Sequence, residues 1–196
     1  MTRKRETPYR TIERFCKYIL LWTVSFCAHG AWAGPQFIHH LPNLTIHRFA
    51  QDKVGYIWIA TDNGLCRYNG QFYYYYQNEP EDPASLPGNR VSDILIDGSG
   101  TLWIVTSGGV CTYDARLDSF RKLLGKEGFN KAVLNGEHVV CSGPGGMALF
   151  DGGGRLPPER RDTPRHGPAV LEADPNGFLW GGVNGGRIFK YDRGLN

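Results

Sequence analysis

An all-β fold is predicted by three observations. The stretch from Asp52 to Asn69 reads D-K-V-G-Y-I-W-I-A-T-D-N-G-L-C-R-Y-N, and Asp97 to Asp114 returns as D-G-S-G-T-L-W-I-V-T-S-G-G-V-C-T-Y-D. Asp, Gly at +3, Trp at +6, Thr at +9, Gly at +12 and Tyr at +16 are spaced identically in both, as Asp52, Gly55, Trp58, Thr61, Gly64 and as Asp97, Gly100, Trp103, Thr106, Gly109. Asp174, Gly177, Trp180, Gly186 and Tyr191 give the pattern again, without the Thr and with one extra residue before the Tyr. The second observation is the period. Trp58 to Trp103 is 45 residues and Trp103 to Trp180 is 77, close to twice 38, so a degenerate copy is expected between them. Asn135 to Asp151 supplies it, with Gly146 where Gly64 and Gly109 stand, but with the Trp and Thr gone. The third is that Ile57-Trp58-Ile59 and Leu102-Trp103-Ile104-Val105 are dense in β-formers and apolar throughout, which suits strands buried on both faces. Four units of about 40 residues, each of about four antiparallel strands, predict a partial β-propeller in an open arc.

Taken in order, residues 1–33 read as a secretory signal: basic residues through Lys17, an apolar run from Tyr18 to Phe26, and Ala31-Trp32-Ala33 as the cleavage site before Gly34. The run is shorter than the ~20 residues a bilayer needs and is followed by His29, which favours cleavage over an anchor. Phe26 disfavours lipidation at Cys27, where a small residue is expected. Gln36 to Leu41 is a weakly alternating strand. The first blade spans 43–77, with strands at Asn43–Ala50, at Ile57–Ile59, at Leu65–Tyr68 and, outermost, at Gln71–Gln77. Asp followed by Gly three residues later makes the hairpin turn. Asn78 to Asn89 is a Pro-rich link. The second blade spans 90–123 and the weak third 131–151. Asp151 to Gly167 carries no strand pattern, with Gly, Pro and mixed charge. The fourth blade, 169–196, stops short of its outer strand.

Composition narrows function. Residues 1–33 hold six basic and two acidic residues, a net of +4 against +3 for the whole chain, so residues 34–196 carry −1. A near-neutral body gives no electrostatic case for nucleic acid. Beyond the leader, Cys66, Cys111 and Cys141 leave at least one free thiol in an oxidising compartment. All three read as small apolar residues on inner strands; a bridge between Cys66 and Cys111 is the alternative. No C-x-x-C, H-E-x-x-H or G-x-S-x-G occurs, and strand alternation sends His39 and His40 to opposite faces, so neither cofactor nor metal is expected. Arg155, Arg160, Arg161 and Arg165 read as a solvated charge run. The outer-strand run Tyr73 to Tyr76 must face two tyrosines outward. This makes Tyr74 and Tyr76 the ligand-binding candidates, against a plain edge strand.

The quoted residues resemble the two-component regulator propeller repeat, D-x-x-G-x-hydrophobic-W-hydrophobic-x-T-x-x-G-L-x-x-Y-D/N. Asp52 to Asn69 match it position by position, and Asp97 to Asp114 nearly so. The link Pro80-x-Asp82-x-x-Ser85-Leu86-x-x-Asn89 is similar to the family's link after its first blade. The resemblance implies the periplasmic sensor region of a Bacteroidetes-type hybrid two-component system, detecting an oligosaccharide as a homodimer. The remainder of the sensor, anchored in the inner membrane, would carry a histidine kinase that this sequence lacks; the chain reads as an N-terminal fragment. No catalysis is expected of residues 34–196. The alternatives are a carbohydrate-active propeller enzyme of the sialidase or lyase kind and a non-binding scaffold or truncated relic. Against the first, the Asp–Gly spacing here is one residue longer than in the sialidase Asp-box.

Overall fold

The computed structural model describes residues 44–125, 129–144, 146–152, 159–161, 170–183 and 186–192. The leader expected at residues 1–33, with its cleavage site at Ala33, and the strand expected at 36–41 lie outside the described residues. Among the latter there is no helix, and fifteen strands form four separate antiparallel sheets. Blade 1 is β1 (Ile46–Gln51), β2 (Ile57–Thr61), β3 (Gly64–Tyr68) and β4 (Tyr73–Tyr76). Blade 2 is β5 (Val91–Ile96), β6 (Leu102–Thr106), β7 (Gly109–Asp114) and β8 (Ser119–Gly125). Blade 3 is β9 (Lys131–Asn135), β10 (His138–Gly143), β11 (Gly146–Phe150) and β12 (Glu159–Arg161); blade 4 is β13 (Val170–Ala173), β14 (Leu179–Val183) and β15 (Arg187–Tyr191). Strands run outward in chain order within each blade. Successive blades pack through their first strands, β1 on β5, β5 on β9 and β9 on β13. That series makes the open arc expected of the repeats.

The repeat residues act in two hydrogen-bonded locks. In the first, Asp52 Oδ1 accepts from the backbone amides of Val54, Gly55 and Tyr56, and its other oxygen accepts from Trp58 Nε1 at 2.8 Å. Asp97 does the same for Ser99, Thr101 and Trp103 Nε1 at 2.9 Å, and Asp174 reaches Trp180 Nε1 at 3.4 Å. One carboxylate thus closes the hairpin and fixes the indole, and the buried indole N–H has its partner. In the second lock, Thr61 Oγ1 donates to the Gly64 carbonyl at 2.7 Å, and Thr106 to that of Gly109 at 3.0 Å. Gly109 has φ 137°, and a Cβ there would sit on the Leu124 carbonyl oxygen.

Trp58 and Trp103 then face the next blade. Trp58 meets Tyr113 edge-on with ring centroids 4.7 Å apart, and Trp103 meets Phe150 in the same way at 5.2 Å. Tyr113 and Phe150 are the aromatics that end the third strand of the following unit. The seam between blades 1 and 2 adds Ala60, Leu65, Leu86, Ile94, Ile104 and Cys111; the seam between blades 2 and 3 adds Val105, Val110, Phe129, Val139 and Cys141. Val133, Val140, Met147, Leu171 and Leu179 close blade 3 on blade 4. Burying such side chains contributes roughly 1.5–3 kcal/mol each. The apolar run at Ile57–Ile59 is buried between blades, as its composition predicts, but belongs to the second strand outward from the axis.

Three features differ from the sequence reading. Blade 3 is well packed despite losing its Trp. Its first hairpin shortens so that Asn135 pairs with His138, and Val140, opposite Leu149 as Trp58 is opposite Arg67, takes the place of the indole. It also continues past Asp151, because Glu159–Arg161 pairs with β11 as a fourth strand. An outermost strand needs a partner along one edge only and tolerates charge, so it carries no apolar signature. The link from 78 to 89 is structural as well: Leu86 is fully buried in the first seam, and Asn89 accepts from the amides of Asn78 and Gly64.

Gly109→Ala forces an L side chain into both a strained φ and a carbonyl oxygen. It is expected to lower urea-unfolding stability by about 2 kcal/mol or more. Gly136→Ala, at φ 64° with nothing within 4 Å of the new methyl, is expected to cost about half as much.

Candidate functional site

The innermost strands carry a row of charges that alternates in sign from blade to blade. Arg48 on β1, Asp93 on β5, Lys131 on β9 and Glu172 on β13 follow one another along the arc. Arg48 Nε lies 3.6 Å from Asp93 Oδ1, Lys131 Nζ 3.9 Å from Asp93 Oδ2, and Lys131 Nζ 3.8 Å from Glu172 Oε1. These are ion pairs beyond hydrogen-bond length, so the charged heads attract one another without being consumed.

Local backbone geometry aims the first two. The register of β1 on β2 skips one residue between Ile46 and Arg48, and that of β5 on β6 skips one between Val91 and Asp93. Each skip is a bulge immediately before the charged residue, and bulges turn the side chain that follows them. Asp93 is the buried anchor of the row, with only 4% of its side chain exposed. It accepts from the backbone amides of Ile94 and Ala132, both at 3.0 Å, and so joins blade 2 to blade 3 through the main chain. By contrast, 49% of the Arg48 side chain, 24% of Lys131 and 70% of Glu172 are exposed. The Arg48 guanidinium carries five N–H donors, and about half of its side chain is open to solvent. Charged donors, a carboxylate acceptor and strand edges on one concave face can hold a polyhydroxylated ligand by many hydrogen bonds.

The sequence candidates lie elsewhere. Tyr74 and Tyr76 share the face of β4 that turns toward blade 2. Tyr76 stacks on Trp58 at 6.0 Å, meets Phe120 edge-on, and donates its hydroxyl to Asp118 Oδ1 at 2.7 Å. It is a seam residue rather than an outward platform, because the first blade presents this face to the second. Tyr74 is 42% exposed, with the Arg67 guanidinium 4.8 Å above its ring. Tyr75, on the opposite face, is the most exposed of the four.

Arg67 and Asp118 close the outer end of that seam. Arg67 lies over the rings of Tyr56, Trp58, Tyr74, Tyr76 and Tyr113. Its Nη1 reaches Asp118 at 3.2 Å and also donates to the Tyr113 hydroxyl, which itself donates to Asp118. Burial on its own raises the Asp118 pKa; hydrogen bonds from Tyr113 and Tyr76 and the charge of Arg67 outweigh it and bring the carboxyl below its ordinary value. Burial, with the hydrogen bond to Asp118, lifts Tyr113 to about 12. Burial also pushes the Cys66 thiol to about 11 and drives Cys111 and Cys141 higher. All three cysteines are free and buried, as packing residues. Cys111 lies in the first seam, so the alternative bridge to Cys66 is absent.

Asp118 is depressed in the folded state, so its contribution is complete above the carboxylate's unfolded pKa of about 4 and is lost as pH falls through the lower folded value. Acid unfolding followed by circular dichroism is therefore expected to weaken the parent steadily below pH 4, and Asp118→Asn to flatten that limb.

The residues of the inner row escaped the sequence reading, although a signal exists. Arg48, Asp93 and Lys131 stand four residues before Asp52, Asp97 and Asn135, the residues that open each first hairpin. The position is constant while the charge alternates, so a search for one residue type passes over it.

Similarity to known proteins agrees with this architecture. The two-component regulator propeller model matches residues 40–63 and 85–108. Among solved structures, the extracellular domain of a hybrid two-component system from B. thetaiotaomicron matches with TM-score 0.63 and 24% identity, over 83% of this chain and 24% of that one. A second such domain from B. thetaiotaomicron matches with TM-score 0.64 and 18% identity, over 83% of this chain and 22% of that one. Virginiamycin B lyase from Staphylococcus aureus matches with TM-score 0.58 and 12% identity, over 81% of this chain and 59% of that one. No curated protein matches in sequence. These likenesses show a propeller fold, and the chain spans about a quarter of the length of the two sensor domains.

Proposed function

We propose that this chain, which carries two-component regulator propeller repeats, is an exported, non-catalytic ligand-sensing region of a two-component sensor. Its ligand is an oligosaccharide, bound on the concave face of the arc. The observation that carries this reading is the row Arg48, Asp93, Lys131 and Glu172 on the four innermost strands. A ligand spanning that row touches several blades at once. If it binds one blade spacing better than another, it shifts the population toward that spacing, and only such differential affinity can send a signal. The rest of the sensor, a kinase across the membrane and a second copy of the same region, would read the shift.

The extracellular placement of the similar B. thetaiotaomicron domains and the leader at residues 1–33 support export. The mixed signs of the row suit a neutral or weakly charged glycan, whose hydroxyls donate to Glu172 and accept from Arg48 and Lys131.

The test is a glycan array probed with the purified chain, followed by calorimetry on any hit. Saturable binding to an oligosaccharide is expected, weakened at least tenfold in the double variant Arg48→Gln, Lys131→Met, with no product formed on prolonged incubation. Binding unaffected by the double variant would move the site off the concave face. Turnover of the glycan would make the chain an enzyme.

A further inference from the structure

A second cleft lies on the rim of blade 2, at the turns rather than on the concave face. It has a volume of about 460 Å³, within the range of small-molecule sites, and is formed by the β5–β6 turn and the β7–β8 turn. Ser99 and Thr101 line it from the first turn, Asp114 and Arg116 from the second, and Tyr113 and Arg121 from the strands between.

The chemistry of the lining is specific. Two arginines and one aspartate line the cleft, and the aspartate is engaged: Asp114 Oδ1 accepts from the amides of Arg116 at 2.9 Å and Leu117 at 3.4 Å. Arg116 makes no ion pair among the described residues, and Arg121 is held by interactions within the fold. The charged lining is thus two arginines to one aspartate, with the Asp97 carboxylate behind Ser99. On its opposite wall Ser99 Oγ donates to Asp97 Oδ1 at 2.6 Å and lies 2.9 Å from Thr101 Oγ1. The Ser99 proton is committed to Asp97, so Thr101 donates to Ser99 and its oxygen keeps lone pairs toward the cleft. Two forked cations and a hydroxyl acceptor are thus brought together across one small space. Guanidinium–oxyanion hydrogen bonds are roughly twice as strong as neutral ones.

We propose that this cleft binds a small hydroxylated molecule bearing one oxyanion group, carboxylate or phosphate, with the anion held by Arg116 and Arg121 and a neighbouring hydroxyl donating to Thr101. The site is independent of the concave-face reading. Tyr113 lines the cleft and also closes the Asp118 clasp between blades 1 and 2, so an occupant braces that seam.

The test is calorimetric titration of the full chain with glucuronate, glucose 6-phosphate, inorganic phosphate and glucose at matched ionic strength. Saturable binding of glucuronate and glucose 6-phosphate is expected, with none for glucose. Arg116→Gln and Arg121→Gln should each weaken it at least tenfold, and the melting curve of Arg116→Gln should stay that of the parent. Thr101→Val should weaken the two sugar acids and leave inorganic phosphate unchanged. Glucose binding as tightly as the acids, no saturable heat with either acid, or acid affinity unchanged in both arginine variants would each overturn the proposal. Binding of inorganic phosphate alone would reject the hydroxylated body. Loss in the Arg48→Gln, Lys131→Met chain with retention in the Arg116 variant would place the anion on the concave face, against this assignment and without bearing on that of the glycan.

Discussion

The arc depends on one contact made twice: the indole of one blade set edge-on against the aromatic that ends the third strand of the next. Trp58 on Tyr113 and Trp103 on Phe150 are the centres of the two best-packed seams. A sheet of three or four strands has two apolar faces and cannot hide both by itself, so each blade is stable only against its neighbours. The carboxylate six residues before the indole makes the contact reproducible. Asp52 and Asp97 spend one oxygen on the hairpin amides and the other on the indole N–H, which couples the turn to the ring orientation. Aspartate at that position is therefore more than a turn former. Blade 3 shows the alternative: without the Asp–Trp couple the hairpin shortens, Val140 fills the seam toward blade 4, and Asn135 is left buried with neither side-chain amide atom paired among the described residues.

Packing that turns the broad faces of the blades toward one another leaves the innermost strands for polar work. Those strands are edges, with charged side chains placed by bulges in blades 1 and 2. The seam between blades 1 and 2 is consequently apolar in the middle and ionic at both ends, with Arg48–Asp93 near the axis and Arg67–Asp118 at the rim. Exposed ion pairs contribute little to stability, whereas the buried Asp93 is costly to strip of its partners. The inner end is also where the proposed ligand contact falls. At the far end of the arc, Trp180 is 42% exposed in blade 4, at the position whose counterparts Trp58 and Trp103 are almost fully buried.

Much of the fold was legible in the sequence because the repeat residues have local duties. Turn closure at Asp52, Asp97 and Asp174 and the Thr–Gly lock at 61–64 and 106–109 are fixed within a few residues, so their spacing survives as a pattern. The fourth strand of blade 3 was not legible, because Glu159–Arg161 is a short, charged outer-edge strand with no apolar pattern in its sequence. The role of Tyr76 was not legible either: strand alternation says that it shares a face with Tyr74, but not that this face meets Phe120 and Asp118 of another blade. The concave row depends on a relation between blades, and a repeat search looks for sameness where the row alternates in charge.

If burial between blades sets stability, blades 2 and 3, which pack on both sides, must hold their amides most firmly. Native-state hydrogen exchange read by mass spectrometry tests this directly. The account predicts slowest exchange in β6, β7, β10 and β11, and faster exchange in the exposed strands β1, β4 and β15. Equal protection in all four blades, or greatest protection in β15, would contradict it.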